Sequence, residues 1–253
     1  MKKILYYLLS IVLILTSLYS AIQIFNILQE NNEERKQNDY LIEIAKKEDK
    51  SEPKEEKNEN QVEIDFEALK KVNDEIIAWI KIPDTTIDYA IVQGTDNDFY
   101  LHYNARKEEN YAGAVFVDCQ NANPFKDEHT IVYAHNVKHG TMFAPLEKYM
   151  DEDFFKKHPV YYIYTPEANY EVEIFAFYTT TDVSDAYELI DIGQYILKWQ
   201  SDSLYSNDVK VNDNDRVVTL STCSYERNDQ PSELRHVLKG VIKKVDEQGG
   251  NKH

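Results

Sequence analysis

Apolar residues dominate the start of the chain and become sparse soon afterwards. The run ILYYLLSIVLIL begins at Ile4, and weaker apolar positions continue to Leu28. About 20 apolar residues in a helix cross the roughly 30 Å hydrocarbon core of a membrane. Residues 1–28 are therefore predicted to form an uncleaved membrane anchor, with Lys2 and Lys3 on the cytoplasmic side. A cleaved signal peptide is the alternative, because SLYSA offers small residues near the end of the run.

Polar residues fill the next segment. Residues 29–61 are rich in Glu, Lys and Asn and carry few large apolar side chains. Such a segment buries too little surface to offset its ordering entropy, so it is predicted to be a solvated spacer with a short helix around residues 40–45. Residues 62–247 then form the predicted folded domain, and residues 248–253 a disordered tail.

The folded domain begins with a helical pattern and continues with short strands. Apolar positions between Phe66 and Ile77 recur at helical spacing, and Asp65 is the predicted N-cap. Two further helical stretches are predicted around residues 141–149 and 184–205. Period-two alternation and turn residues predict strands between them. These strands are 77–82, 86–93, 112–118, 130–135, 160–165, 170–179, 216–222 and 235–245. Eight short strands in one domain favour a mostly β, closed barrel.

Charge and cysteine content narrow the functional classes. The formal net charge is −17, with 45 acidic residues against 28 basic ones. Such a chain repels phosphate backbones and anionic membrane surfaces, which argues against a nucleic-acid partner. The only two cysteines, Cys119 and Cys223, form either one disulfide or two thiols. A domain of this length does not need a disulfide to be stable.

Cys223 lies where a predicted strand, RVVTLSTC, gives way to a polar loop. Nucleophiles often occupy such positions, because the strand fixes the backbone while the loop leaves the side chain accessible. A buried structural cysteine is the alternative. A thiol needs a base to become a thiolate, and His135 ends another apolar strand in TIVYAHN. His135 and His139 also fit the spacing of a zinc pair, but Gly140 indicates a loop there, so no metal and no cofactor is predicted.

Arg235 begins the next apolar run, RHVLKGVI. A guanidinium fixed beside a Cys–His pair can stabilise the oxyanion of acyl transfer. A surface ion pair with one of the many carboxylates is the alternative interpretation.

These motifs together resemble the class B sortases, transpeptidases of Gram-positive cell surfaces. TLSTC with the following arginine carries the resemblance, and YAHN and the stretch WIKIPDTTIDYAIVQG extend it over roughly residues 75–245. The resemblance implies an eight-stranded barrel with N-terminal helices and a long helix inserted before the cysteine-bearing strand. It makes Cys223 the nucleophile, His135 the general acid and base, and Arg235 the oxyanion-binding or substrate-orienting group, although Arg227 is a second arginine in the interval between Cys223 and Arg235. Candidates for substrate binding are Ser221, Thr222 and Asn136.

The implied function is a membrane-anchored cysteine transpeptidase with an extracellular catalytic domain. Such an enzyme cleaves a C-terminal sorting motif of secreted proteins after Thr and joins the protein to a peptidoglycan amine through a thioester. Its partners are therefore secreted proteins, a peptidoglycan precursor or cross-bridge, and the cell membrane. Two alternatives remain open at this stage: a secreted cysteine protease, and a non-catalytic surface-binding module with a Cys119–Cys223 disulfide.

Overall fold

A computed structural model describes residues 2–46, 62–137, 140–223 and 233–244. The chain divides into two compact units, Met1–Tyr40 and Leu41–His253. The first unit is helical, and its helix α1 runs over Lys2–Ala45. Large apolar side chains of this unit, such as Ile11, are exposed. Within the part of the chain that the structure describes, no helix is both long enough and apolar enough to cross a membrane.

The second unit includes the last turn of α1 and a short helix α2, Phe66–Val72. The predicted N-cap is confirmed, since Asp65 accepts a hydrogen bond from the Ala68 amide at 3.0 Å. The predicted continuation of this helix to Ile77 is wrong. Asn73 leaves the helical conformation at the C-cap, and its side chain accepts the Glu75 amide, which turns the chain into the first strand.

Eight strands close into a barrel, as the alternating pattern predicted. Two further two-residue strands pair with each other outside it. The barrel order is β1-β2-β3-β4-β9-β10-β8-β7, and its core contains Ile80, Ile163, Phe177, Leu220 and Leu238. The strands are β1 (Ile76–Lys81), β2 (Asp88–Val92), β3 (Val115–Val117), β4 (His129–Tyr133), β5 (Asn136–Val137), β6 (Thr141–Met142), β7 (Val160–Tyr164), β8 (Asn169–Thr181), β9 (Val217–Cys223) and β10 (Leu234–Lys244).

Short helices connect these strands. Helix α3 is Phe99–His102 and α4 is Glu152–Lys157, and a 3₁₀ helix covers Ala144–Met150. The helix predicted over residues 141–149 is therefore a two-residue strand followed by this 3₁₀ helix. Pro145 lies in the first turn of the 3₁₀ helix, where its missing N–H costs nothing.

The predicted insertion between β8 and β9 is present, but it is not one long helix. A 3₁₀ turn over Asp185–Tyr187 is followed, after an irregular stretch, by the ten-residue helix α5, Gly193–Asp202. Asp191 has a φ of 54°, which interrupts helical geometry between the two. Trp199 and Ile192 pack in one apolar cluster with Val237 and Val241 of β10, so the insertion covers the outer face of the barrel.

Candidate active site

A cavity of about 830 Å³ opens where β4, β9 and β10 end. Its floor includes Tyr133, His135, Ser221 and Arg235, which belong to or follow these three strands. One side of it is residues 187–190 of the insertion, hereafter called the wall segment. The strands thus form the floor of the cavity, and the insertion forms one of its side walls.

Strand register brings the three predicted catalytic positions together. Strands β4 and β9 are parallel, and their last pair is Tyr133 with Ser221. His135 and Cys223 each follow two residues after that pair, so both positions lie at the same level. Strands β9 and β10 are antiparallel, and their register pairs Cys223 directly with Arg235. Positions paired in this way share a face of the sheet, so residues 223 and 235 form one row, and residue 135 lies two residues beyond the neighbouring β4–β9 pair.

His135 is half-buried beside the helix α3. Its Nε2 lies 2.9 Å from the Leu101 carbonyl oxygen. A carbonyl oxygen only accepts, so Nε2 carries the proton and Nδ1 is the nitrogen left to exchange a proton. Burial lowers the pKa of His135, the hydrogen bond to Leu101 opposes that shift, and the nearby His102 adds to it. The imidazole is therefore held in its neutral form near neutral pH.

Arg235 is oriented by two acceptors. Its Nη2 donates to Asp182 Oδ2 at 3.0 Å and its Nη1 donates to the Leu234 carbonyl at 3.0 Å. The side chain is 23% exposed and its partner 44% exposed, so water screens this ion pair. The interpretation of Arg235 as a partner of a surface carboxylate is thus correct in part, but the same side chain also lines the cavity.

The predicted substrate-binding residues divide into two groups. Ser221 and Thr222 line the cavity and are buried, and Ser221 Oγ lies 2.8 Å from the Tyr187 hydroxyl. Asn136 is buried in the β5–β6 hairpin, where its amide donates to Glu147 at 2.6 Å, and it is not part of the cavity lining. Arg227 and His139 lie outside the described residues.

Several site residues escaped the sequence analysis. Tyr187 stacks near Tyr133, with ring centroids 6.2 Å apart, and joins the wall segment to the floor. Tyr133 also donates to the buried Asp118 at 2.9 Å. Desolvation, together with Asp118, raises the pKa of Tyr133 well above its ordinary value, so it stays a hydroxyl. Asp118 directly follows the apolar run VFV, a strand-end signal of the kind that identified Cys223.

Cys119, the other cysteine, has the properties of an unreactive thiol. Cys119 is a free, partly buried thiol, which removes the main premise of the disulfide-bonded module. Burial, followed by Asp118 and Asp96, raises its pKa. A thiol with a raised pKa is a poor nucleophile at neutral pH. Across the described ranges, no cluster of His, Cys, Asp and Glu has the geometry of a metal site.

Comparison with known proteins points to one family. The sortase domain model matches residues 80–243. Sortase B of Listeria monocytogenes is 44% identical over 179 residues, which cover 69% of this chain and 72% of that protein. The crystal structure of B. anthracis sortase B in complex with AAEK1 has a TM-score of 0.71 at 36% identity and covers 86% of this chain and all of that one. A Staphylococcus aureus sortase B–substrate complex has a TM-score of 0.65 at 32% identity, over 72% of this chain and 85% of that one.

Proposed function

The chain belongs to the sortase family as a class B cysteine transpeptidase of the cell envelope, and we propose that Cys223, His135 and Arg235 carry its chemistry. The single observation that supports this assignment most strongly is the strand register, which pairs Cys223 at the end of β9 with Arg235 at the start of β10 and places His135 just past the end of the adjacent β4. These positions adjoin a cavity large enough for a peptide.

In the first half-reaction, the Cys223 thiol gives its proton to Nδ1 of the neutral His135 imidazole, and the resulting thiolate attacks the carbonyl carbon of a Thr residue in the sorting motif. The guanidinium of Arg235 donates to the oxyanion that forms, where charge develops only in the transition state. His135 then gives the Nδ1 proton of its imidazolium to the departing amine, and the C–N bond breaks. The products are a thioester on Cys223, a neutral imidazole and a released C-terminal peptide.

In the second half-reaction, an amine attacks the thioester carbonyl. His135 takes the proton that the amine loses, and the C–S bond breaks to return the thiolate. Because His135 donates Nε2–H to Leu101 throughout, the ring keeps its orientation while Nδ1 gains and loses the proton. The amine belongs to a peptidoglycan precursor or cross-bridge, so the secreted protein becomes attached to the wall.

The flanking residues have separate proposed roles. Ser221 and Thr222 contribute to the floor under the peptide, while Asn136 holds the hairpin that follows His135. Residues 1–28 anchor the enzyme in the membrane, residues 29–61 space it from the surface, and residues 62–247 form the extracellular catalytic domain. The exposed apolar side chains of α1 support the anchor.

The test uses the full chain in detergent with a quenched peptide library that carries a fixed Thr, with and without triglycine. We expect cleavage after Thr and, when triglycine is present, a product extended by it. Cys223→Ala should give no product, whereas the matched variant Cys119→Ala should keep it. Products that end only in a free carboxylate at saturating triglycine would identify a protease instead.

A further inference from the structure

A fully buried polar row lies beneath the wall segment. Lys239 of β10, Thr219 of β9 and His129 of β4 each have no exposed surface. Strand register pairs Lys239 with Thr219, and His129 lies on the neighbouring strand. This row is separated from the catalytic row only by the pair Ser221–Val237 on the same face. Burying a lysine and a histidine is costly unless their hydrogen bonds are satisfied.

The hydrogen bonds of this row have only one possible direction. His129 Nδ1 lies 2.6 Å from the Glu188 carbonyl oxygen, so it must carry the ring proton of a neutral imidazole. His129 Nε2 then accepts from Thr219 Oγ1 at 2.7 Å. Thr219 Oγ1 in turn accepts from Lys239 Nζ at 2.7 Å, and the same ammonium or amine nitrogen donates to the Ala186 carbonyl at 2.9 Å.

Both ends of the row therefore hold backbone carbonyls of the insertion. Ala186 and Glu188 are the residues on either side of Tyr187, which lies 2.8 Å from Ser221 Oγ and lines the cavity. Trp199 of α5 covers Lys239, with Nζ 3.7 Å from the ring centroid, and excludes water from the row. The insertion also makes apolar contacts on both sides of this row, at Val237 toward the catalytic end and at Val217 and Val241 away from it.

From this geometry we propose that Lys239 and His129 are positioning residues for substrate binding, because they fix the two carbonyls that flank Tyr187 and so set the width of the cavity. This inference rests on the proposed function, since the cavity must be the peptide site. Burial lowers the pKa of both groups, and Asp185 opposes that shift at Lys239 while Lys239 adds to it at His129.

Three variants of the full chain separate this role from simple stability. Lys239→Met keeps the side-chain length but removes both donated bonds. His129→Leu removes the bond to Glu188, and His129→Asn restores a donor near the Nδ1 position. Val241→Ala is the matched control, because it removes apolar packing beneath the same insertion and leaves the carbonyl bonds intact. The Tm of every variant is measured by thermal unfolding, so that effects on KM can be compared at equal loss of stability.

The first measurement is KM and kcat on the best peptide from the Thr library. Lys239→Met and His129→Leu should raise KM about tenfold, the size expected from losing one or two buried hydrogen bonds, with kcat changed less than about threefold. His129→Asn should recover most of the loss. The rate of Cys223 alkylation by iodoacetamide, followed by peptide mass spectrometry to separate it from Cys119, should stay at the wild-type value. The proposal would be overturned if Val241→Ala, at the same loss of stability, raised KM as much as Lys239→Met and His129→Leu do. It would also be overturned if KM were unchanged in both Lys239→Met and His129→Leu.

The second measurement does not depend on activity. Hydrogen exchange of the amides of Tyr187 and Glu188, which donate to Ser184 and Asp185, should accelerate at least tenfold in Lys239→Met and not in Val241→Ala. Unchanged exchange in Lys239→Met would contradict the proposal that this row fixes the wall segment. Failure of the wild-type enzyme to cleave any peptide would instead count against the proposed function, and the exchange result would still decide whether Lys239 fixes the wall segment.

Discussion

Replacing Arg235 by lysine separates charge from geometry at the site. The guanidinium uses two nitrogens on two acceptors, Nη2 on Asp182 and Nη1 on the Leu234 carbonyl. A lysine keeps the positive charge but presents a single ammonium, which cannot hold Asp182 and also reach a developing oxyanion from a fixed fork. Losing one such donor costs about 10²–10³-fold in rate, or about 2.7–4 kcal/mol of transition-state stabilisation.

The same substitution should hardly affect folding. The Arg235–Asp182 pair is partly exposed, and exposed ion pairs contribute about 0–1 kcal/mol, which corresponds to at most about 4 °C in Tm for a domain of this size. The assay compares kcat/KM and Tm of the full chain for Arg235→Lys and for the control Arg227→Ala, which should stay within about threefold of wild type. If Arg227→Ala loses most of its kcat/KM while Arg235→Lys keeps a near-normal value, the assignment of Arg235 as the oxyanion donor is refuted.

Three further predictions concern the base, the N-terminal boundary and metals. Because burial lowers the pKa of His135, an NMR titration of its ring should give a midpoint below 6.5; a midpoint above 7 would contradict the neutral, Leu101-bound imidazole. A fragment of residues 62–253 should stay active, but it lacks Leu41, which is 5% exposed in the core. The Tm of this fragment should therefore be about 3–10 °C below that of fragment 41–253. Equal Tm values would show that the packing of Leu41 does not stabilise the fold. EDTA should leave turnover unchanged, whereas a loss restored by one added metal would overturn the metal-free site.

The barrel was predictable because its signals are local. Several strands alternate apolar and polar residues, and the turns between strands carry their own residue types. The two strand-end positions proposed for catalysis have the same kind of local signal, since Cys223 and His135 each end an apolar run. The register that aligns them is a property of three strands distant in sequence, and no local pattern specifies it.

Local patterns failed where two periods fit the same residues or where burial depends on a distant segment. Ile76 and Ile77 fit both a continuing helix and a new strand, and the Asn73 side chain decides between them. Lys239 looks like a solvated charge in LKGVIKK, although Val237 and Val241 on the same face indicate a buried row. Only the insertion that covers this face makes the lysine a buried donor.

The most direct test of the account is the identity of the covalent intermediate. The full chain is mixed with the best library peptide, quenched in acid within one turnover, digested and analysed by mass spectrometry. An acyl group ending in Thr should be found on the peptide that contains Cys223, should accumulate in the absence of an amine, and should disappear when triglycine is added. Turnover of the peptide with the acyl group on Cys119, or with Cys223→Ala still active, would contradict it.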